Sequence, residues 1–270
     1  MKTKYKIFIA KVLYFIIKLF NRNDQKVVSR NGINWFLDLN EGIDLSIYIF
    51  GNFEKSILNT SKKLIQNDQI DIIDIGSNIG VHSLNFAFNF KNSKIYSIEP
   101  TNFAFKKLLK NLSLNPKIQN VLTNQLFITE KKIKPEKIYS SWDLKRGSEK
   151  HEKHLGIKKS TSLAGTISLD EFVLKNNINK KTLIKCDVDG HELSVFRSGK
   201  NYLTRYKPII IMELAPYLYV ENGYTLKDLL EYIKLLNYSF FEFDSLKEIP
   251  NIFEYAKNIN DGSSKNIILK

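Results

Sequence analysis

The sequence predicts an α/β fold: a mostly parallel sheet with helices on both faces, preceded by a helical extension. Three observations carry this. From about residue 70 onward, short apolar runs alternate with longer amphipathic ones, as strands covered on both faces and their crossover helices do. The first run passes through a glycine-bearing turn into a helical pattern, the junction around which open α/β sheets bind ligands. The chain has 270 residues and is 43% hydrophobic, enough for one large domain with a flanking segment.

The elements follow in order. Residues 7–20 are apolar except for Lys11 and Lys18, and Lys2, Lys4 and Lys6 precede them. A spanning helix needs ~20 apolar residues, so this run is too short and is broken by charge. Lys11 and the lack of a small-x-small cleavage site also argue against a signal peptide. Two readings stay open: a basic, aromatic-rich helix lying peripherally in a membrane interface, or a helix packing on the domain or on a partner subunit. Residues 1–22 are taken as this helix and 23–69 as an extension that helps shape the site's mouth, with a strand at 35–39 and a helix at 53–65. Residues 70–270 form the main domain. Its strands are read at 70–75, 94–98, 120–128, 183–187, 208–213, 238–243 and 266–269. Its helices are read at 81–90, 102–114, 192–202 and 226–236, with Phe103, Leu108, Leu109 and Leu112 on one face of the second. The polar stretch 130–161 has no clear period and reads as a surface excursion or a lid.

Composition narrows the function. Lys and Arg number 41 against 28 Asp and Glu, a net charge of +13. Clustered positive charge would draw polyanions, but the excess is scattered lysine without an Arg-rich arm or zinc-finger spacing, which argues against a specific nucleic-acid partner. The single cysteine, Cys186, rules out an intramolecular disulfide or a Cys-based zinc site; set in an apolar run, it reads as a buried small hydrophobe in a reducing, cytoplasmic setting. His151 and His154 are three apart, not the four that aligns two zinc ligands on a helix, so no metal is assigned to them.

The chemistry concentrates at two strand ends. Asp74-Ile75-Gly76-Ser77-Asn78-Ile79-Gly80 closes the first strand, and Gly76 and Gly80 let the backbone turn tightly beside a ligand. Nineteen residues after Gly80, Glu99 ends the next strand, where a carboxylate can accept both hydroxyls of a ribose. That contact serves nicotinamide dinucleotides and S-adenosylmethionine alike. The loop separates them: Gly-x-x-x-Gly with an acid two residues ahead suits a zwitterionic methionine tail and is ill suited to a diphosphate. An NAD-dependent oxidoreductase is therefore the weaker reading. At the second strand end, Asp187, Asp189, His191 and Glu192 place four ionisable groups within six residues. They can orient a substrate hydroxyl, act as a base, or hold a divalent cation; alternatively Glu192 caps a helix beside a solvated turn. Glu213 ends the following strand at the same rim.

These residues resemble the FkbM-type methyltransferases. Asp74-Ile-Gly-Ser-Asn-Ile-Gly-Val-His-Ser83 is similar to that family's Asp-x-Gly-Ala-Asn-x-Gly-x-x-[Ser/Thr] loop, taking in Ser77, Asn78, His82 and Ser83. Ser97-Ile-Glu-Pro100, Asn102 and Asn111-Leu-x-x-Asn115 resemble its second-strand segment. Ser168-Leu-Asp resembles its Leu-Asp element, and Ile184–Glu192 its Ile-Lys-x-Asp-Val-Glu-Gly-x-Glu motif, with Asp189 one methylene shorter than the family's Glu. Tyr48-Ile-Phe-Gly-Asn-Phe-Glu54 resembles the upstream Gly-x-[Tyr/Phe]-Glu. The resemblance covers about residues 45–215 and implies a seven-stranded, Rossmann-like class I methyltransferase fold. It also implies O-methylation of sugar, glycolipid or polyketide hydroxyls from S-adenosylmethionine. On this reading Asp74 and residues 76–80 surround the methionyl end, Glu99 holds the ribose, and Gln125 and Leu126 lie near the adenine. Asp187, Asp189 or His191 approaches the acceptor hydroxyl, and Glu192 and Glu213 contact the acceptor. A non-catalytic or membrane-docked accessory protein that keeps the fold is the alternative.

Overall fold

The computed structural model describes residues 3–20, 23–65, 70–144 and 150–270; the side chains of residues 3–9 and 20 lie outside the description. Lys2, Lys4 and Lys6 and part of the 7–20 run, read above as a membrane-interface helix, therefore fall beyond the described side chains.

In chain order the N-terminal elements are α1 (Thr3–Phe20), β1 (Gln25–Arg30), β2 (Ile33–Asp38), α2 (Gly42–Phe50) and α3 (Lys55–Leu64). Next come β3 (Ile72–Ile75), α4 (Val81–Asn89), β4 (Ile95–Ile98), α5 (Asn102–Ser113) and β5 (Val121–Asn124). An insertion supplies β6 (Leu126–Ile128), β7 (Lys137–Trp142), β8 (Gly156–Ser160) and β9 (Gly165–Ile167), before α6 (Leu169–Lys175). The chain continues through β10 (Leu183–Cys186), α7 (Glu192–Ser198), α8 (Lys200–Tyr206), β11 (Ile209–Leu214) and α9 (Pro216–Tyr219). It closes with α10 (Leu226–Leu235), β12 (Phe240–Glu242), α11 (Ile252–Lys257) and β13 (Lys265–Leu269).

Seven strands form the central sheet in the order β12-β13-β11-β10-β3-β4-β5, with β13 antiparallel to both its neighbours and the other pairs parallel. β3, β4 and β10 are buried at every residue, which explains their isoleucine-rich composition: both faces meet helices. From β3 the chain winds outward through β4 and β5, then returns to place β10 on β3's other side. The switch in strand order thus falls between β3 and β10, whose carboxyl ends open the crevice where such sheets bind ligands.

Several elements differ from the sequence reading, each for a local reason. The apolar stretch 120–128 is two strands, because the chain leaves β4 at Gln125 and β6 pairs instead with β9. The helix expected over 192–202 divides at Gly199, whose Cα sits against Leu169 so closely that a Cβ would meet its side chain at 2.5 Å. On α5 the inward face is Ala104, Lys107, Leu108 and Asn111, and Leu109 points to solvent. Two polar residues occupy it because each has a buried partner: Lys107 pairs with Asp44, and Asn111 bonds the Phe36 amide and the Ile79 carbonyl. The polar excursion is built around the antiparallel pair β7–β8; within it, residues 145–149 lie outside the description.

The extension packs onto the domain as a second wall. Ile33, Trp35, Leu37, Leu39 and Ile43 join Ile79, Val81, Leu84 and Leu108 in one apolar cluster, tying β2 and α2 to α4 and α5. Among the described residues, no helix is long and apolar enough to cross a membrane.

Candidate functional site

A cavity of about 180 Å³ opens at the carboxyl ends of β3, β4 and β10. Its floor is the turn after β3. Gly76 has φ +81°, and a Cβ there would lie 1.8 Å from the Asp187 carbonyl oxygen, so the turns after β3 and β10 touch backbone to backbone. That contact is why a glycine loop and an acidic loop more than a hundred residues apart share one site. Asn78, at φ 50°, continues the left-handed turn into α4.

Glu99 stands opposite, on the end of β4. One of its carboxylate oxygens accepts the Asn78 amide at 2.9 Å, and the other accepts the Thr101 amide at 2.8 Å and hydroxyl at 2.5 Å. These bonds fix the carboxylate at the cavity wall. Burial outweighs them and raises its pKa above the ordinary glutamate value.

Beneath the floor runs a buried polar row. Asp74 on β3 is register partner to both Ser97 on β4 and Lys185 on β10, so the three side chains share one face of the sheet. The Ser83 hydroxyl donates to Asp74 at 2.6 Å and lies 2.9 Å from the Ser97 hydroxyl. The Lys185 ammonium sits 3.8 Å from Asp74 and donates to Asp187 at 3.0 Å. Burial works against Lys185's charge, but Asp187 and Asp74 outweigh it and hold the ammonium ionised.

That ammonium sets the protonation of the acids above it. Burial alone would raise Asp187; Lys185 overrides burial and holds it below the usual aspartate range. Asp189 and Glu213 are reached by water in the cleft yet enclosed by its walls. This enclosure, with Asp187's negative charge beside both, pushes them well above the carboxylate range. Asp187, Asp189 and Glu213 each bring a carboxylate oxygen within 4.8 Å of the others. Ionising all three at once is disfavoured in so close a trio, and Lys185 makes Asp187 the acid that ionises most readily. The Ser264 hydroxyl donates to Glu213. His191 lies edge-on to Phe127 with centroids 5.1 Å apart, and burial pushes its pKa down to about 4, leaving a neutral imidazole at the wall.

Of the residues read from sequence, Gly76, Ser77, Asn78, His82, Glu99, Pro100, Leu126, Asp187, Asp189, His191 and Glu213 line the cavity. Six lie outside its lining. Asp74 and Ser83 form the row under the floor. Gly80 (φ +87°) starts α4, where a Cβ would meet Leu108 at 2.4 Å. Gln125 donates to Asn102 at 3.0 Å, and Asn102 also bonds Ser162, so this pair fastens loops at the rim. Glu192 is buried behind its own loop, where it accepts the Val188 and Gly190 amides, and burial pushes its pKa up to about 7. It therefore shapes the turn that presents Asp187 and Asp189.

Other wall residues were given no role in the sequence reading, although Phe53 and Glu54 lie in the segment that resembles the family's upstream element. The extension supplies Glu41, Asp44, Phe53 and Glu54, and the excursion supplies Tyr139, Ser140 and Ser141. Glu54, at φ 47°, places its carboxylate 3.4 Å from His82. Lys185 carried a signal that would have found it: a lysine inside a four-residue apolar strand must have a buried partner.

The sheet order, the single antiparallel strand and a cavity at the β3–β10 switch define a class I methyltransferase fold. The chain belongs to the family of the Methyltransferase FkbM domain, which it matches over residues 74–240. It is 26% identical over 151 residues to the hexuronic acid methyltransferase AglP of Haloferax volcanii, an alignment spanning 55% of this chain and 58% of that protein. The methyltransferase FkbM structure from Methylobacillus flagellatus KT superposes with a TM-score of 0.46 at 14% identity, over 81% of this chain and 48% of that one. Fibrillarin from Aeropyrum pernix, with natively bound S-adenosyl-L-methionine, superposes with a TM-score of 0.45 at 11% identity, over 91% and 82%.

Proposed function

We propose that this chain transfers the methyl group of S-adenosylmethionine to a hydroxyl of a sugar or glycan. The observation that carries the proposal is the joining of the Gly76 turn, Glu99 and Asp187 around one cavity at the sheet's switch point.

The residues present suit this cofactor. The Ser77 hydroxyl is buried at the cavity wall without a hydrogen-bond partner of its own, as a group reserved for a ligand would be. Gly76 leaves the space a methionine tail would take, Glu99 stands where a ribose would be held, and Pro100 and Leu126 offer apolar walls to a purine. When bound, the cofactor supplies a methyl group already activated for attack.

The chain's task is then to position and desolvate the acceptor. Asp187, held anionic by Lys185, accepts the hydroxyl's hydrogen bond and takes its proton as the oxygen loses it. Asp189 and Glu213, whose surroundings favour the protonated form, offer hydrogen bonds to neighbouring acceptor oxygens. Phe53, Phe103, Phe127 and Tyr139 give the cavity flat apolar walls against which the C–H face of a sugar ring can lie. The activity printed in the name of the Haloferax relative supports a sugar acceptor.

Calorimetric titration with S-adenosylmethionine tests the first half: wild type binds and Glu99→Ala binds at least about tenfold more weakly, the loss of one charged hydrogen-bonding group. Wild type that does not bind overturns the proposal in favour of an accessory protein that keeps the fold. Radiolabelled methyl transfer to a glycan panel tests the second half. Alkali-stable label marks an ether on a hydroxyl; alkali-labile label marks a methyl ester and overturns the hydroxyl assignment.

A further inference from the structure

Helix α1 is apolar on two opposite faces, and the fold uses only one. Ala10, Tyr14 and Ile17 pack toward the cluster that joins the extension to the domain, and the Tyr14 hydroxyl lies 2.9 Å from both Asp24 and Asn40. Lys18 pairs with Asp24 at 2.7 Å. These contacts fix the helix's rotation about its axis. The rotation turns Val12 (44% exposed), Phe15 (65%), Ile16 (46%) and Leu19 (67%) to solvent. At helical spacing these four side chains make one stripe about 100° wide, on the side away from the domain. A stripe of four large apolar residues on a helix already anchored by its other face has no part in the fold, and such patches mark a partner.

We propose that this stripe docks α1 in the plane of an anionic lipid surface. Charge selects the occupant. Residues 1–23 contain five lysines and one arginine and no acid. Two copies brought together along the stripe would oppose like charge, since this part of the sequence is basic throughout. An anionic headgroup layer supplies the complement, and the apolar stripe enters the boundary beneath it. Because α1 packs on α2, and Glu41, Ile43 and Asp44 at the start of α2 line the cavity, docking would leave one cavity wall a single helix away from the lipid. The inference rests on exposure and charge alone and is independent of the proposed reaction.

Flotation of the full-length chain with phosphatidylglycerol-containing vesicles, against pure phosphatidylcholine vesicles, tests it. The wild type is expected to float with the anionic vesicles and much less with the neutral ones, and high salt should weaken the binding. Phe15→Gln/Leu19→Gln, which keeps good helix formers at exposed positions, should lower the bound fraction at least about tenfold with an unchanged far-ultraviolet spectrum. Wild type that stays in solution, or a double variant that floats as well as wild type, overturns the inference. So does a concentration-dependent dimer, seen by sedimentation, that the double variant abolishes, because the stripe would then bind a second copy.

Discussion

Lys185 is the side chain on which the charges of the site turn. It is almost fully enclosed, with Asp74 below and Asp187 above, and removing one partner of such a group strands the others. Lys185→Met, close in length but uncharged, should therefore destabilise the protein by about 3–5 kcal/mol in urea unfolding. It should also let Asp187 take up a proton and so weaken methyl transfer more than cofactor binding. A variant that kept full stability would show that the row is not a coupled unit. Glu192 gives the pH counterpart. Its folded pKa is raised from 4.5 to about 7, so the folded state holds its proton more tightly than the unfolded chain. That contribution is complete below pH 4.5 and is lost as pH rises toward 7. His191 acts oppositely: its pKa falls from 6.5 to about 4, so its contribution is lost as pH falls through that range. Unfolding measured at several pH values should show Glu192→Gln losing the first effect while keeping the second, with stability that climbs more steeply from pH 4 to 7 than in wild type. An unchanged pH profile would place Glu192 in a more solvated position.

At the scale of elements, the sheet was legible because its strands are short, apolar and buried on both faces, so burial and sequence say the same thing. The turn after β3 was legible for a similar reason: Gly76 answers a contact with the Asp187 backbone that no other residue permits. What sequence hid were elements set by partners far along the chain. The α5 face could not be read because Lys107 and Asn111 are inward only by virtue of Asp44, Phe36 and Ile79. Likewise β1, β7 and β8 have mixed polarity, and their places follow from their antiparallel partners. The junction of α2 and β7 is a further case. A Cβ on Gly42 would fall 2.1 Å from the Trp142 ring, so the indole lies directly over the start of α2. Gly42→Ala should push Trp142 outward. Trp35 is fully buried and is the only other tryptophan, so a longer-wavelength emission from the variant would report Trp142 alone. Emission identical to wild type would mean that the α2–β7 wall is not packed in this way.

For the molecule as a whole, the cavity matters because its walls come from three parts of the chain. The sheet ends supply the floor, the extension supplies Glu41, Asp44, Phe53 and Glu54, and the excursion supplies residues 138–141. A ligand that touches all three bridges segments far apart in the chain, and its binding free energy appears as stability of the entire fold. Linkage sets the size: at a hundred times its dissociation constant, a ligand that binds only the folded state adds about 2.7 kcal/mol. For a chain of this length that corresponds to a rise in Tm of roughly 5–10 °C. S-adenosylmethionine and its demethylated product should both produce this shift in a thermal melt, since each fills the Gly76 and Glu99 contacts. NADH should produce none, because the Gly-x-x-x-Gly turn with Asp74 beneath it offers a diphosphate no cradle of amides and a nearby negative charge. Stabilisation by NADH and not by S-adenosylmethionine would reverse the cofactor assignment. A shift with either methyl-cycle ligand that Glu99→Ala removes would tie the stabilisation to the end of β4, where the sheet's topology places the site.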